Sequence, residues 1–465
     1  MHHLSILSTR SAAGLSLALA LAGGIALCHA PIQARASILP TDVLSGTTVE
    51  KSHLPKSDMP DIEAAAAIVV SKDGKVLYER AADKELKIAS ITKCMTATLV
   101  LEDGNMDDEL IVSHAAATVG QSTSDLKEGD RLSVRTALMG LMLPSGNDAA
   151  MALAEYMGKK YDPGSTDPVS VFVAKMNERA AQLGMDHTKF TNPHGLDFDG
   201  WEADMRSSAR DVATMFANAM KIKEFRDLLS SPDCSVDVTG QDGQKRSIEL
   251  KNHNKVLGEG GNIGGKTGST YEALDCFAGA YDQKVGGEIY VVTLGSKDDA
   301  QRWKDQGALS DWYYDNMVEL PLADPHAVSQ NGKPLVARVS HADWTDKTVD
   351  ATAKGAPVAQ VFAPEGDVEL NLDARAAGDV REGDKLGTLK VEQNGKTLET
   401  VDLIAAENQA GPNPLEWIMV KLDRLVRLFT GEPRAEPSTA CAASTNPLDY
   451  VRYEPQSHAR TDTDA

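Results

Sequence analysis

Three short clusters in this chain combine residue types that can carry nucleophilic chemistry: Ser90-Ile91-Thr92-Lys93, Ser145-Gly146-Asn147 and Lys266-Thr267-Gly268. Positions i and i+3 of a helix share a face, so Ser90 and Lys93 can place a hydroxyl and an amine within hydrogen-bond reach, a nucleophile beside its base. A lysine near its reference pKa of ~10.4 takes no proton at neutral pH, so burial and a nearby positive charge must lower it. The apolar neighbours of Lys93 meet the first condition. Lys266 can meet the second, or can hold a substrate carboxylate. Taken alone, Ser90 reads equally well as a helix cap followed by a solvated lysine.

Leu141-Met142-Leu143-Pro144 ends one helical run and Asn147-Asp148 starts another. Ser145 and Asn147 therefore sit on a connecting turn, where polar groups face a cleft and where Ser145 alone reads as a turn residue. Gly264 to Ser269 precedes a strand, and Gly268 lets another backbone approach closely, as when a peptide adds to a sheet edge. A phosphate-binding loop is the rival reading, but no strand precedes Gly260 to Thr267 and no helix follows it. Strict strand alternation puts Lys266 and Thr267 on opposite faces.

The elements that must position these groups follow from periodicity. Ala64 to Val70 and Lys75 to Arg80 flank Lys72-Asp73-Gly74 as a β-hairpin. From Ser90 to Glu102 apolar residues lie on nearly every face, the mark of a helix inside a domain. Val169 to Leu183 is amphipathic and Gly184 caps it. Ala273 to Tyr281 and Glu288 to Gly295 form paired strands, so the two ends of this region can join in one antiparallel sheet, an α+β layout. This domain is expected over residues 37–320. A small all-β domain follows over 321–410, with Asn394-Gly395 as its clearest hairpin turn.

Asn413-Pro414 opens a helix within 411–431 that Gly431 closes. Leu415, Ile418, Met419, Leu422, Leu425, Val426 and Phe429 fall on one face, with Lys421, Arg424 and Arg427 on the other. Residues 414–430 are thus expected to lie on a membrane surface with the basic residues meeting anionic headgroups, the alternative being packing on the helix's own domain. The polar, Pro- and Ser-containing segment 432–465 is expected to be disordered.

The first residues read as a signal peptide, 1–36: Arg10, an apolar run from Ala12 to Leu27, and the small-x-small site Ala34-Arg35-Ala36. Export to the outer face of the cytoplasmic membrane, the periplasm or the cell wall follows. Sixty-eight acidic against forty-seven basic residues, a formal charge of -21, oppose nucleic-acid binding. Five cysteines without regular spacing indicate no disulfide framework, and the absence of an HExxH or Cys/His cluster predicts an enzyme with neither metal nor cofactor.

Taken with Leu126 to Asp130, Leu143 to Ala150, Leu183-Gly184-Met185, Phe190 to Asp197 and Ser208 to Asp211, the three clusters resemble the low-molecular-mass penicillin-binding proteins, specifically the D-alanyl-D-alanine carboxypeptidases of the serine SxxK class. The resemblance spans nearly the whole chain after the signal. It implies a penicillin-binding/β-lactamase-like transpeptidase domain, an antiparallel sheet flanked by helices. It also implies that Ser90 attacks the penultimate D-alanine of peptidoglycan stem peptides, with Lys93 moving the proton, and that β-lactam antibiotics acylate the same serine. Ser145 and Asn147 would extend the proton path and hold the peptide. Backbone N–H groups of Ser90 and Ser269 would form the oxyanion hole, while Thr267 and Arg302 would bind the terminal carboxylate. Relatives commonly carry histidine where Ser269 stands and end soon after the amphipathic helix. A D,D-endopeptidase, a β-lactamase or a catalytically silent wall-binding scaffold are the competing assignments.

Overall fold

The computed structural model describes residues 38–52, 54–55 and 58–451. The expected signal peptide, with Cys28, lies outside them, and so do residues 452–465. Strands Val43–Leu44 (β1), Thr47–Thr48 (β2), Ala66–Ser71 (β3) and Val76–Arg80 (β4) come first. Glu109–Ile111 (β5), Arg131–Ser133 (β6), Cys234–Thr239 (β7) and Lys245–Leu250 (β8) make a separate four-stranded sheet. Asn262–Thr270 (β9), Leu274–Gln283 (β10) and Gly287–Ser296 (β11) then return to the first sheet, whose order is β2-β1-β4-β3-β11-β10-β9 with antiparallel pairing throughout. The α+β layout expected from the sequence is therefore present, and β9 forms its edge.

Both faces of this sheet are covered, which is why β3 reads as an apolar run rather than an alternation. Ala66, Ile68 and Val70 enter one core with the helices Lys93–Asp103 (α1), Val134–Met142 (α3), Asn147–Tyr161 (α4) and Ala209–Ala219 (α6), while the short helix His114–Ala117 (α2), Pro168–Gln182 (α5) and Lys223–Leu229 (α7) complete that side. Ala67 and Val69 enter a second core with Leu309, Trp312 and Tyr313 of Asp299–Asp315 (α8). Residues Lys93 to Val100 of α1 are all buried, as its unpatterned apolarity implies.

The second domain begins at Met317–Pro321 (β12), slightly before the expected 321. It continues through Asp324–Val328 (β13), Pro334–Leu335 (β14), Ala337–Ser340 (β15), Thr348–Thr352 (β16), Val358–Phe362 (β17), Glu369–Ala374 (β18), Lys385–Gln393 (β19) and Lys396–Ala405 (β20). Asn394 (φ 50°) and Gly395 (φ 74°) form the turn joining β19 to β20, both in the left-handed region that a two-residue hairpin of this kind requires.

Two expectations are corrected beyond this point. The helix Pro414–Thr430 (α9) forms as read, with an Asn413/Glu416 capping box and Gly431 closing it at φ 78°. Two of its three basic residues, however, are held by the protein itself, while Lys421 lies exposed over the Trp417 ring. Arg424 donates to the carbonyls of Ala342 and Trp344, and Arg427 pairs with Asp423 and donates to Pro433 O. The Arg424 guanidinium satisfies carbonyls just after β15 and so docks the helix, while Leu415, Trp417, Ile418, Met419, Leu422, Leu425, Val426, Leu428 and Phe429 stay exposed.

The second correction concerns the segment after Gly431, which folds back as far as it is described. Glu436 N donates to Thr345 O, Thr439–Ala440 (β21) pairs with β15, Cys441 N reaches Val336 O, and Tyr450 and Val451 pack on the domain core. Strand addition is a backbone affair, satisfied by polar and small side chains alike, so composition alone misread it. Truncation after Gly431 is expected to expose the β15 edge and lower unfolding free energy by about 1–3 kcal/mol, readable as a drop in the thermal midpoint.

Candidate active site

Ser90 stands on a single 3₁₀ turn, Ala89–Thr92, that runs directly into α1 at Lys93. In a 3₁₀ turn residues i and i+3 eclipse, which aligns the two side chains more closely than an α-helix would. Lys93 Nζ lies 2.7 Å from Ser90 Oγ, 2.7 Å from Asn147 Oδ1 and 2.9 Å from the carbonyl of His194. Two of these partners only accept, so a neutral amine spends both its N–H groups on them and presents its lone pair to the serine hydroxyl. Burial, followed by the repulsion of Lys266, holds the Lys93 pKa well below that of an ordinary lysine. The amine is thus set as a base.

The turn carrying Ser90 is pinched between two glycines. Ala89 has φ 46°, a left-handed conformation unusual for alanine, immediately before the serine. A Cβ on Gly195 would fall 1.9 Å from Ala89 O, and one on Gly268 would fall 2.7 Å from Ile88 O and 3.1 Å from Ser90 N. Only side-chain-free backbone can close on Ser90 from these two directions.

On the Ser145 side, Asn147 begins α4 and its Nδ2 donates to Gly120 O at 2.9 Å. Ser145 adopts φ 62° and its Oγ accepts from Lys266 Nζ at 2.8 Å. Buried Asp148 accepts from Ser124 N, Leu126 N and Thr123 Oγ1, fastening the 120–126 loop to this turn. Lys266 is itself buried, also donates to Thr267 O at 2.9 Å, and has its pKa brought down to about 8 by that burial, with Arg302 repelling it further.

Strand alternation holds along β9. Lys266 and Gly268 face the helices that carry Ser90 and Ser145. Thr267 pairs in register with Phe277, whose ring packs edge-on against Trp303 of α8, so Thr267 belongs to that opposite side. Ser269 and Arg302 meet there: Arg302 Nη1 lies 2.9 Å from Ser269 Oγ. The structure thus gathers Ser90, Lys93, Asn147, Ser145, Lys266 and Gly268 into one connected group, and places Thr267 and Ser269 on the other face of the strand, where Arg302 of α8 meets Ser269. Arg302 does not present a free fork, because Asp275 lies 3.0 Å from Nη1 and Asp299 holds Nη2.

Residue-type reasoning did not single out His194. Its contribution to Lys93 is a backbone carbonyl, which has no side-chain signature. Asn192 Oδ1 shapes the loop by accepting from His194 N and Gly195 N, and Thr96 Oγ1 ties it to α1 through Pro193 O. The His194 ring is buried edge-to-face on Trp201, 4.5 Å between centroids, and that burial with the nearby Lys93 keeps it neutral by holding its pKa well below the usual histidine value.

The family model described as D-alanyl-D-alanine carboxypeptidase, peptidase S11, matches residues 53–298, a span that contains Ser90, Lys93, Ser145, Asn147, Lys266, Thr267, Gly268 and Ser269 but not Arg302. The chain belongs to this family. Among relatives of this S11 chain, the D-alanyl-D-alanine carboxypeptidase DacF of Bacillus subtilis is 28% identical over 74% of this chain and 86% of its own. The D-alanyl-D-alanine carboxypeptidase DacC of Escherichia coli is 29% identical over 76% of this chain and 85% of its own. The crystal structure of the Streptomyces K15 DD-transpeptidase superposes with a TM-score of 0.50 at 33% identity, over 54% of this S11 chain and 97% of the other. The penicillin-binding type of fold expected from the sequence is therefore shared.

Proposed function

We propose that the chain is a serine D-alanyl-D-alanine carboxypeptidase that removes the terminal D-alanine of peptidoglycan stem peptides through an acyl-enzyme on Ser90. The observation that carries the residue assignment is the Lys93 amine, whose two fixed acceptors leave its lone pair for Ser90 Oγ. Lys93 takes the hydroxyl proton as the oxygen attacks the penultimate carbonyl. The proton then passes to the departing D-alanine amine, with the Lys266–Ser145 pair next to the path. A water, deprotonated in the same way, attacks the ester and returns the proton to Ser90. The outer edge of β9 leaves backbone groups for the peptide to pair with as an added strand. Amide N–H groups at Ser90 and Ser269 serve as the oxyanion donors, and Thr267 and Arg302, together on the α8 side of β9, receive the terminal carboxylate. A β-lactam, carrying a strained amide and a carboxylate, enters by the same first step.

The test is product analysis on a linear stem pentapeptide and a cross-linked dimer. D-alanine from the first, with the second left intact, supports the reading. Cleavage of the cross-link at an equal or higher rate points to a D,D-endopeptidase instead.

The exposed apolar row of α9 supports seating on the outer face of a membrane. No described helix is long and apolar enough to cross one. Because Arg424 and Arg427 are committed to the protein and only Lys421 of the three stays exposed, over the Trp417 ring, the attraction should be mainly hydrophobic. Binding to vesicles is expected to be nearly equal on neutral and anionic lipid and only weakly sensitive to salt, and to fall about 100-fold in Leu425→Asp/Phe429→Asp. Sedimentation at two ionic strengths checks this, and strong weakening by salt would restore the headgroup reading.

A further inference from the structure

We propose that Asp275 sets how strongly the cleft holds a substrate carboxylate, by occupying the guanidinium fork of Arg302 from the side of the substrate-bearing strand; this rests on the carboxypeptidase reading above. Arg302 is buried, and its Nη1 lies 3.0 Å from Asp275 Oδ1, 2.9 Å from Ser269 Oγ, and within 3.4 Å and 3.5 Å of the carbonyls of Gly268 and Cys276. Nη2 is held by Asp299, which also takes Lys255 Nζ at 2.8 Å. The guanidinium plane lies over the Trp303 ring, 4.8 Å from its centroid.

Charges therefore alternate along a line, Lys255, Asp299, Arg302, Asp275, that ends against the strand the substrate would join. Asp275 is the member at that end: it faces Ser269 in the β9–β10 register, and the Ser269 hydroxyl donates to its carboxylate. A planar fork that could engage a substrate carboxylate in two parallel bonds is already serving two internal ones. An incoming carboxylate meets an arginine whose charge is balanced, and lies beside a fixed negative charge as well. Both effects weaken ground-state binding of any peptide, or released D-alanine, that carries a free carboxylate. Neither acts on a peptide whose terminus is uncharged. Weak holding of the leaving amino acid keeps the enzyme from being trapped by its own product.

The experiment is steady-state hydrolysis by the full chain of one peptide ending in D-Ala-D-Ala, with a free carboxylate or as the C-terminal amide. Wild type, Asp275→Asn and Asp299→Asn are compared, and labelling of Ser90 with a fluorescent penicillin is followed in each. Asp275→Asn is expected to lower KM for the acid by about tenfold, to leave KM for the amide unchanged, and to hold kcat within about twofold. D-alanine inhibition should tighten in parallel. Asp299→Asn should shift the acid-to-amide KM ratio in the same direction, and it carries the test if Asp275→Asn does not fold. An unchanged ratio in the folded variants, with Ser90 still labelled, overturns the role of Asp275 and leaves the carboxypeptidase reading standing. A wild-type chain that neither labels nor releases D-alanine overturns that reading itself.

Discussion

Ser90→Ala is expected to lower D-alanine release by about 10⁶-fold and to abolish covalent labelling by penicillin, with thermal stability nearly unchanged. The hydroxyl is small and lies at the cleft end of a turn whose geometry is set by its neighbours. Ala89, Gly195 and Gly268 hold the backbone there whether or not the oxygen is present. Intact-mass measurement of the penicillin adduct reads class and nucleophile together. A surviving adduct on another residue would remove Ser90 from the mechanism. The loss should be near complete because the remaining groups, Lys93, Ser145 and Lys266, can orient a substrate but have no other oxygen at the end of the Lys93 lone pair to deliver.

Lys93→Met is expected to cost about 10⁴-fold in kcat/KM, since it keeps the buried volume and removes the amine positioned to take the serine proton. Asn147 Oδ1 and the His194 carbonyl lose a donor as well, so a modest loss of stability is expected alongside. The pH profile of the wild-type enzyme supplies the complementary reading. Lys93 must be neutral to act, and its pKa lies well below the usual value, so the acid limb falls as pH drops through that depressed value. Lys266 must stay charged to steer a carboxylate, and it loses its proton near about 8, so activity should decline above that point. Lys266→Arg should move only the alkaline limb, and upward.

Stability carries the same lysine with a definite sign. Its folded pKa of about 8 lies below the 10.5 of an unfolded chain, so between those values the native state binds fewer protons than the unfolded one. Unfolding free energy should therefore rise with pH across that window, by about 3 kcal/mol for a fully buried group. Below about 8 both states are protonated and the burial cost is present in full. Lys266→Met should flatten that rise, which denaturant titrations at pH 7.5 and 9.5 would resolve. The site gives up stability for a charge the chemistry uses, a trade expected where function requires a buried cation.

How much of this was legible beforehand divides along a physical line. Interactions set by local geometry were readable from the chain: the i, i+3 spacing of Ser90 and Lys93, the buried character of α1, the Asn394-Gly395 turn, and the Asn413 cap with Gly431 closing α9. Motif recognition added that Ser145, Asn147 and Lys266 belong with them. It said nothing of how a lysine 121 positions away would reach Ser145 Oγ. Groups acting through the backbone stayed hidden, because the His194 carbonyl and the strand at Thr439–Ala440 carry no side-chain signature.

The sequence by itself determined which chemistry the chain holds, where its helix caps and clearest hairpin turns lie, and that α9 has one apolar and one basic face. Only the tertiary structure decided what those faces and charges meet. It turned Arg424 inward to carbonyls of the second domain, tied Arg427 to Asp423 and Pro433, folded the segment after Gly431 onto β15, and set Asp275 and Asp299 on either side of Arg302. The reason is range. Helix caps, turns and i, i+3 pairs are fixed by bonds a few residues apart, whereas the partner of a buried charge is chosen by whichever distant backbone or carboxylate the packed layers bring within about 3 Å.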